Sequence, residues 1–298
     1  MTRATPPGDF TKRKIARIAE QALQDAGVAG VFPTPIEVVQ SQLGVRQRIP
    51  MGMLPDAVAA KKPTWIKRAL GAYLRSERTV FIDTDQAEAR VLFTDAHEAI
   101  HAACEWHEDA LRWDGDDELF RRRREEVEGE ANFGAGHLIF QGGRLHRIAL
   151  EDAVTLATPL ALASRFGASR AAAAHFYVEE HPDAVALLVL GRYVRLSTGA
   201  FPVWRSVQSQ RFRQKYGNFG NHFPDGVKAQ DGPNAPFAEI LSGCRVAVDP
   251  TRCRVDLLDL GGRARPFVAE AFFNQHVQLL LVTERQRVPV GRRVRLAG

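Results

Sequence analysis

At 298 residues the chain is long enough for about two domains and a sizeable hydrophobic core. Apolar residues make up 45% and charged residues 25% of it, a composition typical of ordinary globular proteins and unlike that of disordered or fibrous ones. Its apolar runs, such as residues 184–190 and 279–282, are far shorter than the ~20 residues of a membrane helix, and residues 1–14 lack the apolar core of a secretory signal.

The net charge of +5 is unevenly distributed. Residues 1–142 carry 19 Lys and Arg against 22 Asp and Glu, a balance of −3, whereas residues 143–298 carry 21 against 13, a balance of +8. The basic half is the one expected to meet an acidic partner. The three cysteines, Cys104, Cys244 and Cys253, leave an odd count and no CxxC pair. We therefore expect no disulfide framework and a cytoplasmic location.

Two helices and a hairpin are predicted before residue 83. Residues 11–26 place apolar side chains at helical spacing and are followed by Gly27, a helix stop. The run Thr34-Pro35-Ile36-Glu37 resembles a capping box with Thr34 as N-cap, and predicts a short helix ending near Gly44. Residues 69–74 and 79–82 are typical of two strands joined by the polar turn 75–78.

The next stretch, FTDAHEAIHAACEW at 93–106, contains the pattern HExxH. In a helix beginning near Gln86, residues four apart share a face, so His97 and His101 can each place an imidazole nitrogen on one Zn²⁺. Glu98 is rotated by about 100° from His97, beside the metal but not on it. There its carboxylate can take a proton from a zinc-bound water and return it to a leaving amine. The motif predicts a zinc hydrolase with Glu98 as general base, against the alternative of an ordinary amphipathic helix.

A catalytic zinc site needs a third protein ligand, and residues 121–140 offer several. We favour Glu128, because the small, neutral Asn132 and Ala135 follow on its helical face and let that face approach the metal helix. The rivals that spacing does not exclude are Glu126, Glu130 and His137. Cys104 falls at i+3 from His101, on the predicted metal-facing side of the helix. Burial as a small hydrophobe is favoured there over an inhibitory zinc thiolate.

These motifs resemble those of the ImmA/IrrE-type zinc metallopeptidases, and the layout resembles the CapP peptidases of repressor–peptidase pairs. The matching residues are Arg90, the FTxAHExxH run ending at His101, and Glu128 three residues before Ala131-Asn132. The resemblance implies a zincin-like domain at residues 1–142 with one catalytic Zn²⁺ held by His97, His101 and Glu128. Peptidases of this general kind hold substrate as an extra strand on a sheet edge, for which the hairpin is the best candidate. The alternative is a hairpin with a structural role only. Two positions depart from the family pattern: Ile100 replaces a common Gly, and Leu138-Ile139-Phe140-Gln141 replaces LLMP.

The remainder is predicted to form two further parts of an α+β fold. Residues 143–183 contain two helical patterns split by Phe166-Gly167-Ala168, with Ser169 as N-cap, a helix-turn-helix-like linker. Four consecutive alanines at 171–174 favour packing or dimerisation over base reading for this linker. Residues 184–298 are β-rich, with a turn at Asp249-Pro250, and their layout resembles a GAF-like sensor domain.

Residues 204–223 interleave cations with aromatic rings. Rings that stack on bases, beside cations that follow a phosphate backbone, are typical of single-stranded nucleic acid binding. The alternative is that the rings are core and the cations a solvated face. The candidate residues for binding nucleic acid or another anionic ligand are Trp204, Arg205, Arg211, Phe212, Arg213, Lys215 and Tyr216.

Two functions are compatible with the sequence. The resemblance implies a zinc endopeptidase that cleaves a helix-turn-helix repressor and so derepresses a stress or antiphage operon after DNA damage. The cation–aromatic stretch at residues 204–223 indicates single-stranded DNA as its activating signal. The alternative is a ligand- or DNA-binding transcriptional regulator with a structural zinc site. A structural site closes with a fourth protein ligand and has no need of a carboxylate at Glu98, so the sequence favours the enzyme.

Overall fold

The computed structural model describes residues 7–53, 70–111, 118–228 and 235–284. The chain divides into two compact units, one of residues 1–152 and 160–176 and the other of residues 153–159 and 177–298. Each unit combines helices with a sheet, so the mixed α+β class is confirmed. The predicted linker, 143–183, is shared between the two units. No helix in the described part of the chain is long and apolar enough to cross a membrane.

The first unit contains six complete helices and a three-stranded sheet among its described residues. The helices are α1 (Asp9–Asp25), α2 (Ile36–Gln42), α3 (Glu88–Ala103), α4 (Trp106–Leu111), α5 (Glu118–Phe140) and α6 (Arg144–Ala149). The strands are β1 (Gln47–Pro50), β2 (Gly71–Leu74) and β3 (Thr79–Ile82). Helices α7 (Ala157–Arg165) and α8 (Arg170–Glu179) follow, and each has residues in both units.

The predicted hairpin is present and forms two thirds of the first sheet. Strand β3 is central, antiparallel to β2 and parallel to β1, in the order β1-β3-β2. Leu74 pairs with Thr79 across the turn, as the sequence predicts, while residue 69 of the predicted first strand lies outside the described residues. Strand β1 was not predicted.

The predicted helix over 11–26 corresponds to α1, which buries Ile15 and Leu23 and is followed by Gly27 at φ +67°. The capping box at Thr34 is wrong. Pro35 is the N-cap of α2, and no side chain caps that helix. The Thr34 hydroxyl instead donates to the carbonyl oxygen of Leu138 at 3.0 Å, so it ties the entry of α2 to the end of α5.

The two helices that carry the metal motif, α3 and α5, pack directly against each other. A Cβ on Gly134 of α5 would lie 2.7 Å from Cδ1 of Ile100 on α3. The bulky Ile100, which departs from the family pattern, is thus accommodated by a residue without a side chain on the facing helix. The absence of a side chain at Gly134 lets the backbones of α3 and α5 approach closely.

Helix α3 ends at Ala103, so Cys104 lies just beyond the helix and not on its metal-facing side as predicted. Cys104 is the C-cap of α3, in an extended conformation at φ −99°, and is fully buried. Burial raises the pKa of its thiol to about 12, so it stays protonated at neutral pH. The placement of Cys104 on the helical face of His97 and His101 is therefore wrong.

The second unit is built on a five-stranded antiparallel sheet. Its strands are β4 (Val185–Gly191), β6 (Val203–Gln208), β8 (Thr251–Leu258), β9 (Ala264–Phe273) and β10 (Val277–Glu284), with β5 (Ala200–Phe201) and β7 (Val227–Lys228) forming a separate pair. The strand order in the sheet is β6-β4-β10-β9-β8. Helices α9 (Gln210–Tyr216) and α10 (Ala235–Gly243) accompany the sheet. The predicted turn at Asp249-Pro250 immediately precedes β8. A C-terminal sheet domain is therefore present.

Helices α7 and α8 are separated where the sequence predicts, at Gly167 with φ +65°. The Ser169 hydroxyl accepts a hydrogen bond from the backbone N–H of Ala172 at 3.2 Å, the predicted capping interaction. Ala173 and Ala174 are fully buried, so this face of α8 is a packing surface.

Candidate metal centre

Helices α3 and α5 bring three potential metal ligands together. Nε2 of His97 lies 3.1 Å from Nε2 of His101. Oε2 of Glu128 lies 3.3 Å from Nε2 of His97, and Oε1 of Glu128 lies 3.9 Å from Nε2 of His101. Among the described residues these three side chains form a group whose ligand atoms all lie within 4.8 Å of one another. The spacing of four residues on α3 therefore places both imidazoles on one face, as predicted.

The separations suit a small tetrahedral cation. Zinc bonds of roughly 2.0–2.1 Å to nitrogen and oxygen imply ligand atoms roughly 3.3–3.4 Å apart at tetrahedral angles. Two nitrogens and one carboxylate are also the donor set of many catalytic zinc sites, which keep a fourth position open. The residues present therefore fit a zinc ion without large rearrangement.

The rivals for the third position lie elsewhere. Glu130 accepts hydrogen bonds from Trp106 and His107, and Glu126 pairs with Arg123 at 3.4 Å. The His137 ring packs against Phe133, at 4.4 Å between ring centroids. Only Glu128, of the four candidates, faces both imidazoles.

The protonation states of Glu128 and His101 favour metal binding, whereas a proton on His97 would compete with a metal ion. Burial alone would raise the pKa of Glu128, yet the hydrogen bond and charge of His97, with the charges of His101 and Arg124, lower it to about 2. Burial and the neighbouring charge of His97 lower the pKa of His101 well below its ordinary value. For His97, burial opposes the charged form but is outweighed by the hydrogen bond and charge of Glu128, so its pKa is raised. At neutral pH Glu128 is thus ionised and His101 is neutral.

Asn132 orients the first imidazole. Its Oδ1 lies 3.2 Å from Nδ1 of His97, one helical turn beyond Glu128 on α5. With a proton on Nδ1, His97 leaves Nε2 free for a metal. The sequence indicates only that Asn132 is small and neutral and does not predict its hydrogen bond with His97.

The second imidazole has a longer set of partners. Nδ1 of His101 lies 2.9 Å from Nδ1 of His107, whose Nε2 lies 3.0 Å from Oε2 of Glu130. Trp106 donates to the same oxygen at 2.8 Å. His107 stands six residues after His101, a spacing without helical meaning, so sequence periodicity gave no signal for it.

Glu98, the predicted general base, is buried beside strand β2. A Cβ on Gly71 would lie 2.8 Å from Oε1 of Glu98 and 2.4 Å from Cγ2 of Thr94. The absence of a side chain at Gly71 therefore allows β2 to lie directly against the motif. The end of the same helix is held by Arg75, which donates to the carbonyl oxygens of His101 and Ala102 at 3.1 and 3.2 Å.

The cation–aromatic stretch of the second unit is only partly available for ligands. Phe212 and Tyr216 belong to the hydrophobic core, so stacking of bases on them is wrong for this structure. Lys215 makes an ion pair with Glu284, which also accepts from the Tyr216 hydroxyl at 2.7 Å. The exposed members of the predicted set are Trp204, Arg205, Arg211 and Arg213.

The chain is similar to a known protein family and to a solved structure. Residues 58–177 match the M78 peptidase family model, described as the IrrE N-terminal-like domain. A search of curated proteins found no match. Among solved structures, the chain is similar to a Mycobacterium tuberculosis transcriptional regulator, with a TM-score of 0.51 and 15% identity over 91% of this chain and 76% of that one. At that identity the likeness concerns the fold alone.

Proposed function

We propose that the chain, whose residues 58–177 match the IrrE N-terminal-like domain of the M78 peptidase family model, is a zinc-dependent endopeptidase. The observation that supports the proposal most strongly is that the ligand atoms of His97, His101 and Glu128 lie within 4.8 Å of one another, close enough to bind one metal ion together. These residues would hold one Zn²⁺. When bound, the ion would acidify a water molecule and polarise the scissile carbonyl.

Glu98 would act as the general base and acid. It follows His97 directly and is 5% exposed, in a setting that shields its carboxylate from bulk water. From that position it would accept a proton from the attacking water and deliver it to the leaving amine nitrogen. Glu98 is thus assigned to proton transfer, while the other three residues bind the ion.

Strand β2 would hold the substrate. Within the described residues it pairs with β3 on one side only, so its other edge offers unpaired backbone groups to an extended peptide. Gly71, at the start of β2, contacts the Glu98 side chain. A peptide added along this edge would therefore lie next to the proposed base.

The proposed substrate is a helix-turn-helix transcriptional repressor, whose cleavage would derepress a stress or antiphage operon in the cytoplasm. The similarity to a protein described as a transcriptional regulator agrees with a role in the control of transcription. In this proposal the second unit is a GAF-like sensor of a DNA-damage or phage-related signal, and residues 143–183 are the helix-turn-helix-like linker.

The direct test is co-expression with the neighbouring repressor-like gene product, followed by the intact mass of that partner. We expect fragments with the wild-type chain and none with Glu98→Gln, which preserves the shape of the side chain but removes the base. Glu126→Gln, an exposed carboxylate on α5, is the matched control and should cleave normally. Zinc bound with no cleavage in any condition, together with a fourth protein ligand, would favour the regulator with a structural zinc site.

The proposed signal is single-stranded DNA, bound through the exposed Trp204 and its neighbouring arginines. Base stacking on an aromatic ring contributes about 1–3 kcal/mol, so Trp204→Ala should weaken binding of an oligothymidylate roughly 5- to 150-fold. Tyr193→Ala, which removes another exposed ring of the second unit, is the control. Fluorescence anisotropy would measure both, and equal affinity of Trp204→Ala and wild type would contradict this assignment.

A further inference from the structure

We propose that His107, Glu130 and Trp106 form a hydrogen-bonded chain that holds His101 in the tautomer with an unprotonated Nε2. Trp106 and His107 open the short helix α4, directly after the helix that carries the metal motif, and Glu130 lies on α5. The inference rests on the proposed zinc site, because it assigns residues that orient one of the zinc ligands. These are positioning residues, since none of them reaches the metal position itself.

The proton positions follow from the far end of the chain. Trp106 Nε1 can only donate, so Oε2 of Glu130 is an acceptor toward it. The same oxygen lies 3.0 Å from Nε2 of His107, and a stable contact there requires a proton on that nitrogen. A neutral imidazole carries one proton, so Nδ1 of His107 must be an acceptor.

The acceptor on His107 then fixes His101. Nδ1 of His101 lies 2.9 Å from Nδ1 of His107 and donates to it, because a hydrogen bond to that acceptor needs a proton from His101. The single proton of a neutral His101 is therefore on Nδ1. Nε2, which faces His97 and Glu128, keeps its lone pair.

Burial makes this arrangement specific. His107 is 1% exposed and Glu130 is 8% exposed, so bulk water competes little for the hydrogen bonds of either side chain. Trp106 is itself held from the opposite side, with Nζ of Lys14 on α1 lying 3.5 Å from the centre of a ring. A turned or missing His107 would leave buried polar atoms of His101 and Glu130 without these partners.

The first test is zinc affinity, measured on the full chain by competition with a chromophoric chelator. His107→Phe retains a buried ring but removes both nitrogens, and we expect zinc to bind roughly 10- to 100-fold more weakly. His107→Gln supplies an amide oxygen and an N–H in similar places, so it should recover most of the affinity. Glu130→Ala should also weaken zinc binding, whereas its matched control one turn away, Glu126→Ala, should not.

The second test reads the tautomer without metal. Long-range ¹H–¹⁵N NMR of the zinc-free protein should show His101 protonated on Nδ1 in the wild type and in His107→Gln, and a shift toward Nε2 protonation in His107→Phe. Trp106→Phe is the milder variant if His107→Phe fails to fold, and it should move both readouts in the same direction.

The outcomes are separable. Unchanged zinc affinity and an unchanged His101 tautomer in folded His107→Phe would overturn the positioning role while leaving the peptidase intact. A wild-type chain that binds no zinc would overturn the proposed function, and the tautomer would still decide whether the hydrogen-bonded chain exists.

Discussion

At the scale of single residues, helical periodicity predicted that His97 and His101 would lie together, but for the third member of the candidate centre it left rivals of Glu128 open. His97 and His101 lie on one face because they are four apart, and Glu128 meets them because its face of α5 packs on α3. The partners Asn132 and His107 could not be predicted in the same way. Their contacts depend on how α4 and α5 pack against α3, and the sequence carries no periodic signal for that packing.

The protonation states lead to a prediction for the pH dependence of zinc binding. A protonated imidazole cannot bind zinc, and only His97 has a raised pKa, while that of His101 lies well below the ordinary value and that of Glu128 is about 2. Affinity should thus be full above the pKa of His97 and fall about tenfold per pH unit below it, since one proton is displaced. Chelator competition between pH 5.5 and 8.5 measures this slope. A hundredfold loss per unit would mean that both imidazoles are protonated and would contradict the assignment.

At the scale of elements, the helices and the hairpin of the first unit follow from local patterns, and the misses have physical reasons. Strand β1 has the sequence QRIP and pairs in parallel with β3. Alternation of apolar and polar residues over four positions is too short to predict such a non-local pairing. Strand β1 is also connected to α3, because the guanidinium of Arg48 donates two hydrogen bonds of 2.8 Å to Asp95. The Thr34 capping box failed because the hydroxyl has a tertiary partner on α5.

The approach of β2 to α3 gives a prediction at this scale. Gly71→Ala should push a methyl group into Thr94 and Glu98, with a loss of about 1–3 kcal/mol in the free energy of unfolding from overpacking. Peptidase activity should fall further than stability alone explains, because Glu98 is displaced. Gly52→Ala, where an added Cβ meets nothing within 4 Å, is the control. Chemical denaturation and the cleavage assay measure both effects, and a neutral Gly71→Ala would refute the close contact.

At the scale of the whole molecule, the sequence of the C-terminal half was sufficient to predict its β-rich character. It was not sufficient to predict which of its aromatic side chains are exposed. The sequence left open whether the rings of residues 204–223 stack on bases or belong to a core, and most of them belong to the core. Alternation of rings and cations cannot separate the two, because a helix such as α9 buries one face and exposes the other. The charge balance of −3 against +8 for residues 1–142 and 143–298 remains consistent with an acidic partner for the C-terminal half.

Zinc should stabilise the chain through the first unit. At a free zinc concentration 100 times the dissociation constant, the free energy of unfolding should rise by about 2.7 kcal/mol. Differential scanning calorimetry should show this increase in the wild type and its loss in the double variant His97→Ala/His101→Ala. An equal increase in that variant would place the zinc on other residues.

Anomalous diffraction from zinc-loaded crystals would test whether two imidazoles and one carboxylate form an open zinc site. We expect one zinc ion, roughly 2.0–2.2 Å from Nε2 of His97, Nε2 of His101 and an oxygen of Glu128, with solvent in the fourth position. Zinc at another place, or a fourth protein ligand closing the site, would contradict it.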